Sequence, residues 1–182
     1  MSIRRRTLNT SIKTRKAIGT IAGLALALGL HAATTGSITL SGTQPAILSI
    51  TATANAAATS LAVNTNVTNL LVGTIVEQSN DSAGYTVTLT SANAATANST
   101  AAFLKSTKSG NADTLPYTLQ YGTATPVTVV FLSTGIATVS NVTAKTTGAG
   151  TSNNLTVSFS GLNANLAQDI YTDTLTFTII AK

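Results

Sequence analysis

The chain has 182 residues, with ten Lys and Arg, five Asp and Glu, one histidine and no cysteine. Six of the ten basic residues lie at or before Lys16, and without them four lysines face five carboxylates. This balance excludes the clustered basic surface that nucleic-acid binding needs. The missing cysteines exclude Cys-His nucleophiles, Cys/His zinc sites and disulfides. The single histidine, His31, lies at the predicted cleavage site of an N-terminal export signal, so we expect no Ser-His nucleophile in the mature protein.

The N-terminus has the pattern of an export signal. A basic stretch is followed by the apolar run 17–30 and then by small residues. This order predicts a secretory signal peptide over residues 1–33, cleaved after Ala32 or Ala33. The apolar run is shorter than the roughly 20 residues of a membrane-spanning helix, so we expect no membrane span in the mature protein. The paired arginines match a twin-arginine signal only loosely, which favours general secretion.

The rest of the chain reads as short strands. Tyr85, Val87 and Leu89 alternate with threonines, a period of two that is typical of a strand buried on one face. The Ala-rich stretches 54–60 and 92–104 carry Asn, Ser and Thr, which favours loops. We therefore predict an all-β, antiparallel, immunoglobulin-like Greek-key sandwich over residues 44–182. Its predicted strands are 37–42, 47–53, 69–77, 84–92, 115–121, 126–132, 155–159 and 171–180, with turns at 108–114 and 148–154.

Few residues on this framework suggest chemistry. Glu77 and Asp81 could form the carboxylate pair of a glycoside hydrolase, but the spacing also fits a strand end followed by a turn. Asn80 and Asp81 lack the spacing of known calcium loops. The four tyrosines could form a sugar-stacking platform, although tyrosine is common in strands. We predict no catalytic residue, no metal site and no cofactor, so the chain is not expected to be an enzyme.

Three segments resemble bacterial fimbrial subunits of the chaperone–usher and spore-coat-U-like type: VGTIVEQSNDSAGYTVTLTSAN (72–93), LPYTLQY (115–121) and the C-terminal YTDTLTFTI (171–179). Many such subunits carry a disulfide, which this chain lacks. The resemblance implies a sandwich that is short of one strand and is completed by a donor strand from the next subunit. It also implies like subunits, a periplasmic chaperone and an outer-membrane usher as partners, and a final location in a cell-surface fimbrium that supports adhesion or biofilm formation.

The candidate donor strand is the segment 34–43. Ile38 and Leu40 alternate with Ser and Thr, and at about 3.4 Å per residue the segment spans roughly 34 Å. Pro45 would interrupt a ladder and marks a boundary with the sandwich. By the same resemblance, Leu175, Phe177 and Ile179 on the final strand would line the acceptor groove and lie at the edge offered to a chaperone.

Alternatives remain open at this point. Residues 34–43 could instead pair within their own sheet as an ordinary first strand. The protein could be a monomeric secreted or cell-surface β-sandwich that binds carbohydrate or protein, or a hydrolase that uses only carboxylates. Whether the subunit belongs to a shaft or a tip does not follow from the sequence.

Overall fold

The computed structural model describes residues 35–182, so the predicted signal peptide lies outside the described residues. The chain divides after Gly42, and the compact unit is Thr43–Lys182. Residues 35–47 contain no regular secondary structure, and the side chains of Ile38 and Leu40 are each 90% exposed. The strand predicted over 37–42 is therefore absent, and in the described chain this segment joins no sheet.

The compact unit is an antiparallel β-sandwich, which confirms the predicted fold class. The strands are β1 (Leu48–Ala54), β2 (Asn66–Ser79), β3 (Tyr85–Ser91), β4 (Phe103–Ser106), β5 (Thr114–Pro116), β6 (Thr118–Tyr121), β7 (Val127–Thr128), β8 (Ile136–Val142), β9 (Thr151–Ser160), β10 (Tyr171–Thr172) and β11 (Leu175–Ala181). One sheet has five strands in the order β1-β2-β9-β6-β7, a second has the order β11-β3-β8, and a third has the order β10-β4-β5.

The alternating sequence patterns account for the core. On β3 the side chains of Val87 and Leu89 are fully buried, whereas the intervening threonines face outward. Apolar residues of all three sheets pack in one cluster, among them Ile75 from β2, Leu89 from β3 and Leu104 from β4. Burying such side chains contributes roughly 1.5–3 kcal/mol each.

Several predicted boundaries are wrong. The strand predicted over 126–132 forms a ladder only at Val127–Thr128, and the strand over 115–121 is split at Tyr117. Residues 151–154, predicted as a turn, begin β9, and the sequence patterns missed β4 and β8 altogether.

The alanine-rich stretches, predicted as loops, contain two short helices. These are a 3-10 helix at Ala56–Thr59 and α1 at Ala92–Ala97. Their polar neighbours act as caps: the Asn55 side chain accepts the N–H of Ala57, and the Ser91 side chain accepts the N–H of Ala94.

Candidate functional site: an apolar groove between two unpaired strand edges

Two edge strands of the sandwich have a free side. Among residues 35–182, β1 is hydrogen-bonded only to β2, and β11 only to β3. At the end of the β1–β2 ladder the N–H of Asn55 donates to the carbonyl of Val72 at 2.9 Å, and at the end of the β11–β3 ladder the N–H of Lys182 donates to the carbonyl of Gly84 at 3.2 Å. In an antiparallel ladder every second residue directs its N–H and C=O groups at the partner strand, so these two bonds show which residues do so. It follows that the even residues of β1 (48–54) and the odd residues of β11 (175–181) direct their N–H and C=O groups away from their partner strands.

An open cleft of about 740 Å³ lies beside these edges. The ends of β1 and of the following loop form one wall, and β10 and the start of β11 form the other. Small residues, Ala54, Ala58 and Gly73, give the cleft its depth, and core side chains form its floor. The lining is mostly apolar: Ala52, Ala54, Ala58, Leu61, Val63, Val72, Ile75, Leu104, Leu119, Leu155, Val157, Leu175 and Phe177.

The structure places two of the three predicted groove residues in this lining. Leu175 and Phe177 line the cleft, whereas Ile179 faces the same side of β11 farther along the strand. All three side chains are only half-buried, although the matching positions on the central strand β3 are fully buried. The difference arises because, among residues 35–182, no strand is hydrogen-bonded to the outer side of β11.

One end of the groove is polar. Asp173 lies between β10 and β11, where the C-terminal strand passes from one sheet to another, and its carboxylate accepts the hydroxyls of Tyr117 and Ser91, each at 2.6 Å. Burial, followed by the hydrogen bond to Asp173, raises the pKa of Tyr117. Asp169, also in the lining, accepts the hydroxyl of Ser106, which is the main cause of its lowered pKa. Neutral donors thus satisfy both carboxylates.

The Glu77 side chain is fully buried between the two main sheets. Its carboxylate accepts the hydroxyls of Tyr85 at 2.9 Å, of Ser140 at 3.1 Å and of Tyr121. Burial, followed by the hydrogen bond to Glu77, raises the pKa of Tyr85 to about 12, and the same causes raise the pKa of Tyr121. A buried carboxylate requires such donors, because an unsatisfied buried charge is strongly unfavourable.

These contacts argue against the chemical alternatives. Glu77 is enclosed, and Asp81 accepts the N–H of Ala83 within a turn, so the two do not flank an open sugar site. Asn80, considered as a calcium ligand, uses its amide to bind the backbone of Ile47 and Pro45.

A tyrosine platform for sugars is also absent from residues 35–182. Three of the four tyrosines are buried, and the hydroxyl of Tyr171 donates to the carbonyl of Ala167 at 2.8 Å. Within the same residues, no group of three or more His, Cys, Asp or Glu side chains is arranged to hold a metal ion.

Sequence reasoning missed the β1 wall and the Glu77 cluster. The small residues of 54–58 read as a loop, and nothing in their pattern indicated that they face a cleft. The tyrosines are the signal that could have indicated the Glu77 cluster. A buried tyrosine hydroxyl needs a hydrogen-bond partner, and the few acidic residues of this chain are candidates for that partner.

Comparison with known proteins gives no match: no family model and no curated protein matches this chain. Among residues 35–182, no helix has both the length and the apolar character needed to cross a bilayer.

Proposed function

We propose that the chain is the structural subunit of a surface fimbria that polymerises by donor-strand complementation. The observation that carries this proposal is the apolar groove between the unpaired edges of β1 and β11. A β-strand is the natural occupant of such a groove, because it can pair with the free backbone groups while alternate side chains enter the apolar cleft. In this function the chain has no active site and works by holding its neighbours.

The occupant is the segment 34–43 of the next subunit. β11 offers seven residues, about 24 Å of edge, and the donor segment spans roughly 34 Å. Ile38 and Leu40 are two residues apart, so both side chains enter the groove when the segment is extended. Their present exposure of 90% would then be lost, and burying both contributes roughly 3–6 kcal/mol in addition to the backbone ladder.

An exported subunit with an empty groove needs protection. Leu175, Phe177 and the free edge of β11 together form a surface on which like chains can aggregate. We therefore propose that a periplasmic chaperone covers this edge and that an outer-membrane usher oversees the exchange for a donor strand. The resemblance to fimbrial subunits supports these partners.

A paired substitution tests the proposal. The chain lacking residues 1–33 is purified and its assembly is followed by size-exclusion chromatography and by gels without boiling. We expect a series of polymer bands on the gel for the unaltered chain. Ile38→Asn/Leu40→Asn should lose these bands, and Ser37→Asn/Ser41→Asn should keep them. The serine pair is the matched control, because it adds the same side chains at positions that face away from the groove.

Two outcomes would overturn the proposal in different ways. If the unaltered chain remains a monomer at every concentration, the alternative of a monomeric β-sandwich that binds carbohydrate or protein takes its place. If Ile38→Asn/Leu40→Asn assembles as fast as the unaltered chain, residues 34–43 are not the donor.

A further inference from the structure

Near each end of β11, a carboxylate that accepts tyrosine hydroxyls links the sheet of β11 and β3 to the five-stranded sheet. At one end the link is Glu77 on β2, with Tyr85 on β3 and Tyr121 on β6. At the other end it is Asp173, with Tyr117 next to β6 and Ser91 on β3. We call these two groups the Glu77 clasp and the Asp173 clasp.

The Glu77 clasp joins β2 and β3, which are the partner strands of β1 and β11 at the two walls of the groove. Glu77 is the cross-strand partner of Ile50 on β1, and Tyr85 is the partner of Ala181 on β11. The hydrogen bond of 2.9 Å between Tyr85 and Glu77 thus links β1 and β11 through one neighbouring strand on each side. β1 and β11 also lie close to each other, but no backbone ladder joins them directly.

The same clasp reaches a residue inside the groove. The ring of Tyr121 packs against the ring of Phe177, with centroids 5.9 Å apart and planes tilted by 32°. Phe177 lines the cleft, so the hydroxyl that orients Tyr121 also fixes the surface on which Phe177 rests.

We infer that the two clasps position the walls of the acceptor groove and so determine how firmly it holds a donor strand. In the Asp173 clasp, the carboxylate also accepts the N–H groups of Asn93 and Thr174, at 3.0 and 2.8 Å, which fixes the backbone where β11 begins. The inference rests on the proposed function. It also explains how a chain without disulfides keeps a groove preformed when no strand fills it.

The test uses the chain that lacks residues 1–33 and carries Ile38→Asn/Leu40→Asn, which cannot donate its own strand. A fluorescent synthetic peptide of residues 34–43 is the probe, and its release is followed by anisotropy after a chase with unlabelled peptide. Tyr121→Phe and Tyr117→Phe each remove one clasp hydroxyl and keep the ring. We expect each to speed release about tenfold, since hydrogen bonds to a carboxylate are among the stronger ones.

The control is Phe131→Leu, a buried core change outside the groove lining. It should lower the free energy of unfolding without changing peptide release, which separates a positioning role from a general loss of stability. Ser140→Ala removes only the 3.1 Å bond to Glu77 and serves as the milder variant if a tyrosine variant does not fold.

The outcomes distinguish the two proposals. If the parent chain does not bind the peptide, the proposed function fails. If the parent binds and the folded clasp variants release the peptide no faster than Phe131→Leu does, the clasps have no positioning role.

Discussion

Replacing Glu77 by leucine should destabilise the sandwich more than the loss of one side chain suggests. The substitution removes the acceptor of three hydroxyls, those of the buried Tyr85 and Tyr121 and of the partly buried Ser140. A buried donor without a partner costs about 1–3 kcal/mol. Removing the buried carboxylate itself relieves a desolvation cost, so we expect a net loss of roughly 3–5 kcal/mol, as for other broken buried charge networks.

The same reasoning predicts recovery when the donors are removed as well. In Glu77→Leu/Tyr85→Phe/Tyr121→Phe, two of the three orphaned hydroxyls are gone, and apolar groups of similar shape fill the site. Such replacements are often nearly neutral, so the triple variant should regain most of the lost stability.

Urea denaturation at a concentration where light scattering shows monomers measures both free energies of unfolding. If Glu77→Leu costs less than about 1 kcal/mol, or if the triple variant is less stable than Glu77→Leu, then the hydroxyl network does not hold the sheets together as the distances imply.

Two further predictions concern the ionisation of a buried tyrosine and the replacement of a glycine in a turn. Burial and Glu77 raise the folded-state pKa of Tyr85 to about 12, so the resulting stabilisation is complete below the unfolded pKa near 10 and is lost as pH rises through 12. Absorbance at 295 nm should therefore show ionisation of Tyr85 and Tyr121 well above pH 10 in the folded protein and near pH 10 in urea; equal curves would contradict the burial of these rings. Gly84 has φ +89°, and a Cβ there would lie 2.1 Å from the carbonyl oxygen of Val142, so Gly84→Ala should cost more than about 1 kcal/mol. Gly148→Ala meets nothing within 4 Å and should leave the thermal midpoint nearly unchanged; a similar loss in both variants would refute the steric argument.

The sequence predicted the fold class because alternation survives in the strands that bury one face. β3 and the apolar part of β9 repeat it without interruption, and both were predicted within a few residues. β4, with only four residues, is too short to establish a period, and residues 151–154 at the start of β9 are polar residues that read as a turn. Tertiary pairing decides such segments, not local pattern.

The groove was predictable in part only. One wall is an alternating strand whose inward residues, Leu175 and Phe177, can be read from the sequence. The other wall consists of alanines near Ala54 and Ala58, and small residues carry no period that distinguishes a lining from a loop. Even a perfect strand assignment would not have shown that both edges lack a partner, because pairing depends on the order of strands in space.

The polar groups show a related limit with a physical cause. With so few charges in the sequence, each carboxylate is a candidate for chemistry, and Glu77 and Asp81 form one candidate pair. In the folded chain Glu77 and Asp173 instead collect hydroxyls from neighbouring strands, which is the use that burial between two sheets favours. Sequence spacing does not identify a carboxylate that is surrounded by neutral donors. Tyr85 lies 8 residues from Glu77, and Tyr117 lies 56 residues from Asp173. In this chain the carboxylates of Glu77 and Asp173 therefore connect neighbouring strands beside the groove, whereas apolar side chains form most of its lining.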